Sequence, residues 1–189
     1  MRKDRNPSNL FAKDCIAQAL IKLMKQKKYE DITITDLAKT AGVSRVTYYR
    51  NYTSKEDIIT HHLDELSYQF QQQTKHLDPT KDRYAFALTF FRHWSEHSEF
   101  LLCLSEAKQS YIMLEHINTA ISLFATTPKK KYEACFFVGS MHNILFEWIK
   151  DGTKERPEEM ATILCELHRA HFPFPKERMP LPKHPSSIS

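Results

Sequence analysis

The chain has 189 residues, 41% of them hydrophobic and 26% charged, which is the make-up of a water-soluble globular protein of one or two domains and excludes a disordered or fibrous chain. Its net charge of +4 is unevenly spread: residues 1–55 hold twelve Lys/Arg against five Asp/Glu, whereas the remainder holds fifteen against eighteen. A polyanion would therefore be met by the first third, and the absence of any apolar run near the roughly 20 residues that span a bilayer, or of a signal peptide after Met1, leads us to expect a cytoplasmic protein.

Only Gly42, Gly139 and Gly152 are glycines, and no proline lies between Pro7 and Pro79, so long segments contain nothing that breaks a helix and the expected fold is all-α. Ile16, Ala19, Leu20 and Leu23 share a helical face and predict a first helix over about residues 8–27, closed by the cationic run Lys25 to Lys28. Thr33 is the expected N-cap of a short second helix carrying Ile34, Leu37, Ala38 and Ala41 inward, and Gly42 ends it. Ser44 caps a third helix of about two turns. Ser54, with Asp57 three residues on, opens a long fourth helix that reaches to about His76. A fifth helix after Pro79 carries Tyr84, Phe86, Leu88, Phe90, Phe91 and Trp94, and two more fill residues 98–126 before Pro128. The segment from about Lys131 to Lys150 is apolar on more than one face, as expected for a helix buried on several sides. Pro157 suits the first position of a last helix, with Glu158 and Glu159 favourable at its positive end. Five prolines after Phe172 predict a flexible tail. The expected domains are thus a helix-turn-helix unit over 1–55, joined by a long helix to a ligand-binding and dimerisation body over 56–172, and a Pro-rich tail over 173–189.

A short helix, a glycine turn and a second short helix beside a basic flank form the helix-turn-helix arrangement, in which the second helix enters the major groove of DNA. The stretch from Thr33 to Asp57 resembles the TetR family of bacterial transcriptional regulators. It matches at Thr33, Leu37, Ala38, Ala41, Gly42, Val43, Ser44, Thr47, Tyr49, Tyr52, Ser54, Lys55 and Glu56 in one register, and a weaker resemblance returns from Trp148 to Gly152 and from Pro157 to Ala161. Val46 and Asn51 depart from the usual family pattern, so the operator cannot be copied from a relative. The resemblance implies that each protomer offers its third helix to a half-site, while the C-terminal helices pair with their copies.

Side-chain chemistry assigns roles on that motif. Arg45, directly after the Ser44 cap, can reach guanine O6 and N7 with two parallel hydrogen bonds, and Val46 can touch a thymine methyl. Thr47 and Tyr49 offer hydroxyls to phosphates, Lys55 offers an ammonium in the first turn of the fourth helix, and Thr33, Thr35 and Arg50 are further candidate contacts. The bland alternatives are exposure for Arg45, Arg50 and Thr35, core packing for Tyr49, and capping alone for Thr33. Tyr48 and Tyr52 read as packing residues.

In the body, Phe86, Phe90, Trp94, Tyr111, Phe137 and Met141 are candidate lining for a pocket that takes a small apolar or aromatic effector. Phe136, Leu145, Phe146, Ile163 and Leu167 are candidates for the homodimer interface. The spacings of His93 with His97 and of His168 with His171 allow two metal ligands each, but no third ligand accompanies either pair and Cys15, Cys103, Cys135 and Cys165 stand apart, so neither metal nor cofactor is expected. No nucleophile motif or glycine-rich phosphate loop occurs, and no catalytic residue is expected. Two functions compete: a repressor released by an effector in the C-terminal body, and an activator or co-regulator whose body docks a protein partner. An enclosed cavity favours the first, a long exposed apolar patch the second.

Overall fold

The computed structural model describes residues 7–78, 81–122 and 127–169. Among them the chain forms helices α1 (Pro7–Met24), α2 (Ile34–Ala41), α3 (Arg45–Asn51), α4 (Lys55–Thr74), α5 (Arg83–Ser95), α6 (Ser98–Glu106), α7 (Tyr111–Ser122), α8 (Pro128–Lys150) and α9 (Pro157–Arg169), with one 3₁₀ turn at Tyr29–Asp31 and no strand. The expected Pro-rich tail, and His171 with it, lies outside the described residues.

Local chemistry sets most of these boundaries. Thr33 and Asp36 form a reciprocal capping box at the start of α2: the Asp36 N–H donates to Thr33 Oγ1 (3.1 Å), and the Thr33 N–H donates to Asp36 Oδ2 (3.0 Å). Gly42 ends α2 in the left-handed region at φ 68°, which lets the Val43 N–H reach back to the Ala38 carbonyl at 3.0 Å. Ser44 and Ser54 accept the Thr47 and Asp57 N–H groups at the starts of α3 and α4. Two ends differ from the sequence expectation. α1 stops at Met24, where Gln26 and Lys27 turn back onto the Leu23 carbonyl, so the lysine run is a turn rather than a last helical turn. α8 begins at Pro128 and not near Lys131, because Thr127 caps it and proline at the first helical position sacrifices no hydrogen bond.

Helix α1 packs on α2, α3 and α4, and also reaches α6. Helix α4 leaves this small domain to pack on α5 and α7, while α8 lies on α6 and α7, and α9 on α5. One apolar cluster runs through the whole, from Ile16, Leu20, Leu37, Tyr48 and Ile58 at the N-terminal end to Phe91, Leu104, Met113 and Leu145 in the body. Helix α8 changes character along its length. Val138, Met141, Leu145, Phe146, Trp148 and Ile149 are buried, whereas Tyr132, Cys135, Phe136 and Phe137 face out. Burial on several sides therefore holds for its second half only. Among the described residues no helix is long and apolar enough to cross a membrane.

Candidate nucleic-acid interface

Tyr48 fixes the pose of α3. It is fully buried beneath the helix, and Tyr52 at the C-cap is buried beside it, their ring centroids 6.2 Å apart. With one face of a two-turn helix anchored in this way, the residues on its other side must point outward. Arg45, Val46, Tyr49 and Arg50 are all exposed, Val46 by 69% and Tyr49 by 54%. Such exposure is unusual for a valine and a tyrosine in a domain with a well-filled core. Neither guanidinium, nor the Tyr49 hydroxyl, has a hydrogen-bond or ion-pair partner among the described residues, so their donors are available to an incoming molecule. Tyr49 stands edge-on to Tyr48, with centroids 5.5 Å apart, so its ring is steadied while its hydroxyl stays in water.

The remaining expected contacts surround this face. Ser44 and Thr47 hydrogen-bond through their hydroxyl oxygens at 2.9 Å while Ser44 caps α3. Thr35 is exposed in the first turn of α2, and the Thr33 hydroxyl donates to Asp36 at 2.7 Å. Lys55 is placed differently from its expected role. Its ammonium donates to the Tyr29 carbonyl at 2.5 Å and reaches the Glu30 carbonyl at 3.4 Å, with the Tyr29 ring centroid 4.4 Å below. A lysine held against carbonyl oxygens and an aromatic face ties the start of α4 to the 3₁₀ turn, and would have to let go before it met a phosphate.

Four positioning residues escaped the sequence reading. Tyr29 is buried and donates its hydroxyl to Glu56 Oε1 at 2.8 Å; burial first, then that carboxylate, push the phenol well above its ordinary range. Burial alone would raise the Glu56 carboxyl, but hydrogen bonds from its own backbone, Tyr29 and Ser54 outweigh it and hold the group low. Lys27 pairs with Asp36 at 2.5 Å, and that bond together with those from Thr33 holds the Asp36 carboxyl far below the usual carboxylate range. The spacing of Thr33 and Asp36 carried a legible capping signal. Tyr29 and Lys27 carried none, since their partners lie elsewhere along the chain.

The expected body sites are only partly assembled. Phe86 and Phe90 meet Phe70 of α4 edge-on, with centroids 5.4 and 5.9 Å away, Trp94 lies 6.4 Å from Phe90, and Met141 is buried in the same core. Tyr111 is 48% exposed at the start of α7, and Phe137 also reaches the surface, so these two do not line a buried pocket with the other four. Of the expected dimer residues, Phe136 is 68% exposed, Ile163 is exposed on α9 and Leu167 is half-buried. Leu145 and Phe146 are instead enclosed within the protomer, because that half of α8 lies under α6 and α7. His93 and His97 meet edge-on with centroids 5.1 Å apart, and no group of three side chains suited to a metal ion occurs among the described residues.

A family model described as bacterial regulatory proteins, tetR family, matches residues 16–61, and one described as transcriptional regulator C-terminal region matches residues 81–169, together more than half of the chain. The HTH-type transcriptional regulator EthR of Mycolicibacterium smegmatis is 35% identical over 65 residues, 34% of this chain and 30% of that relative, so the match spans under a third of its length. Among solved structures, the fatty acid degradation regulator FadR from Bacillus halodurans superposes with a TM-score of 0.65 at 12% identity, over 90% of this chain and 98% of that one. The dihydroxyacetone kinase operon activator DhaS gives 0.56 at 17% identity, over 84% and 94%. At these identities the two structural likenesses are likenesses of fold.

Proposed function

The chain belongs to the TetR family of bacterial transcriptional regulators, and we propose that it is a cytoplasmic repressor that grips operator DNA as a homodimer and releases it when a small apolar or aromatic effector enters the helical body. The observation that carries the reading is the outward face of α3. Two guanidiniums, a valine and a tyrosine stand in water on the second helix of a helix-turn-helix, without intramolecular partners among the described residues, in the part of the chain that holds the positive excess.

The roles divide between reading and positioning. Arg45 reads a guanine, Val46 packs on a thymine methyl, and Arg50 and Thr35 flank them. Tyr49, Thr47, Ser44 and Thr33 hold phosphates, whereas Lys55 stays on the Tyr29 carbonyl and steadies the start of α4. The test is selection of duplexes from a random pool with wild-type and Arg45→Ala protein at one fixed salt concentration. Arg45→Ala should cost about 1–3 kcal/mol on the selected operator and erase one guanine preference per half-site, with non-specific binding much less affected. An unchanged preferred sequence at uniformly lower affinity makes Arg45 a phosphate contact.

A second reading, an activator or co-regulator whose body docks a protein, is favoured by one observation: Tyr132, Phe136 and Phe137 form an exposed apolar patch on α8. A self-complementary dimer covers such a patch equally well. If the purified protein is a dimer with the patch shielded, the repressor reading stands; if it is a monomer that dimerises only with another chain, the second reading replaces it.

A further inference from the structure

A cavity of about 320 Å³ opens between α1 and α4, at the joint of the DNA-binding domain and the body. Leu10, Phe11, Lys13 and Asp14 line it from α1, His61 and Glu65 from α4, and Tyr52 from the end of α3. Its volume is at the small end of the range for ligand pockets.

Three observations mark it as a binding site. Phe11 is 70% exposed and Leu10 42%, so the rim holds apolar surface that no described residue covers. Tyr52 is only 3% exposed as a residue, and its hydroxyl, which has no hydrogen-bond partner among the described residues, is not sealed from solvent but opens to the cavity, where an occupant can take the place of water. Asp14 and Glu65, one on each wall, form no ion pair among the described residues. The Tyr52 hydroxyl feels both: burial first, then carboxylates including Glu65 and Asp14, push it well above its ordinary range.

The charge balance selects the ligand. The Lys13 ammonium lies 3.2 Å from His61 Nε2 across the cavity. Burial and then that ammonium lower the His61 pKa, so the imidazole is neutral at pH 7 and serves as the acceptor for Lys13. Among the described lining residues two carboxylates thus oppose one already engaged ammonium, and their balance is net negative. We propose that the cavity binds a small aralkyl ammonium whose charged head lies between Asp14 and Glu65 and donates to the Tyr52 hydroxyl, and whose apolar part lies on Leu10 and Phe11. An occupant there touches α1 and α4 at once, and α4 is the helix that runs from the DNA-binding domain into the body. Fixing the angle between them biases how α3 is presented.

The probe is 2-phenylethylammonium, titrated calorimetrically into the full-length, DNA-free protein at neutral pH, with phenylacetate as the same skeleton of opposite charge. The cation should bind saturably at one per protomer and phenylacetate should not. Asp14→Asn and Glu65→Gln should each weaken the cation about tenfold, as the loss of one charge-assisted contact does. Phe11→Ala should weaken it as well, and Lys13→Gln should tighten it. All but Lys13 are exposed, and unchanged melting shows that each variant folds. Phenylacetate binding in preference, no binding of either probe in the millimolar range, or cation binding indifferent to these substitutions overturns the proposal. Operator binding measured on the same samples is separate: a failed titration beside intact operator binding removes this site and leaves the regulator reading in place.

Discussion

Tyr48 and Tyr49 are adjacent and have opposite fates. The Tyr48 hydroxyl is buried with no partner among the described residues, and its pKa is raised by that burial, so the group gives up water without gaining a described hydrogen bond in return. Tyr48→Phe should therefore leave stability unchanged or raise it by up to about 1 kcal/mol in urea unfolding. Tyr49→Phe should melt as the wild type does and bind all duplexes more weakly, because its hydroxyl already stands in water. The opposite pattern, a Tyr49→Phe protein that melts early and binds normally, makes that hydroxyl part of the fold. Lys55 follows a third logic. Lys55→Ala removes a charge-assisted bond to the Tyr29 carbonyl and a cation over its ring, and should cost about 1 kcal/mol of stability. The slope of log affinity against log salt should stay where it was; a drop of about one in that slope places Lys55 on a phosphate. Helical spacing made the burial of Tyr48 and Tyr52 legible in the sequence. The inward turn of Lys55 was not, since its partner is 26 residues away and in contact only once α1 and α4 have packed.

Helix α4 shows how a single element can carry a condition on the whole fold. His62 on α4 sits edge-on to Phe100 with centroids 4.7 Å apart, while His93 on α5 lies 5.6 Å from Phe70 and 5.1 Å from His97. Burial, ahead of every other cause, lowers the pKa of all three imidazoles; the charge of His97 adds to this at His62 and His93, with Asp14 opposing at His62 and Glu96 at His93 and His97. An unfolded chain then takes up protons that the folded chain refuses. Between the lowered values and the ordinary 6.5, stability must fall as pH falls, and it is level above that window. The urea midpoint should drop between about pH 7.5 and about pH 5.5, and His93→Phe, set among Phe70 and Trp94, should flatten that drop. An equal drop in the variant assigns the sensitivity elsewhere. The capped starts of α2, α3 and α4 were legible because each cap is a local sequence event. The division of α8 was not. Phe136 is as apolar as Leu145 and Phe146, and only the packing of the other helices decides which of them is covered.

At the scale of the molecule, the exposed half of α8 and the outward face of α9 raise the question of what covers them in solution. Phe136 at 68% and Ile163 at 40% exposure are large apolar groups on the two successive C-terminal helices of a chain whose body carries net negative charge. A two-fold interface through either helix would bury its exposed apolar groups twice, and the helix-turn-helix reading requires two copies to span two half-sites. The sequence pointed to this surplus of apolar surface but mixed core residues with surface ones, and the distinction now makes the test clean. Leu145→Ala empties a fully buried site and should cost about 2–5 kcal/mol whatever the oligomeric state. Phe136→Glu changes a side chain that the described residues leave largely exposed. It should keep the wild-type helical content by circular dichroism, halve the native mass measured by light scattering at micromolar concentration, and lose operator affinity far more than affinity for a single half-site. A Phe136→Glu protein that remains a dimer moves the interface off this half of α8. A wild-type protein that is already monomeric in the absence of DNA removes the homodimer from the proposed mechanism and hands the apolar patch to a different partner.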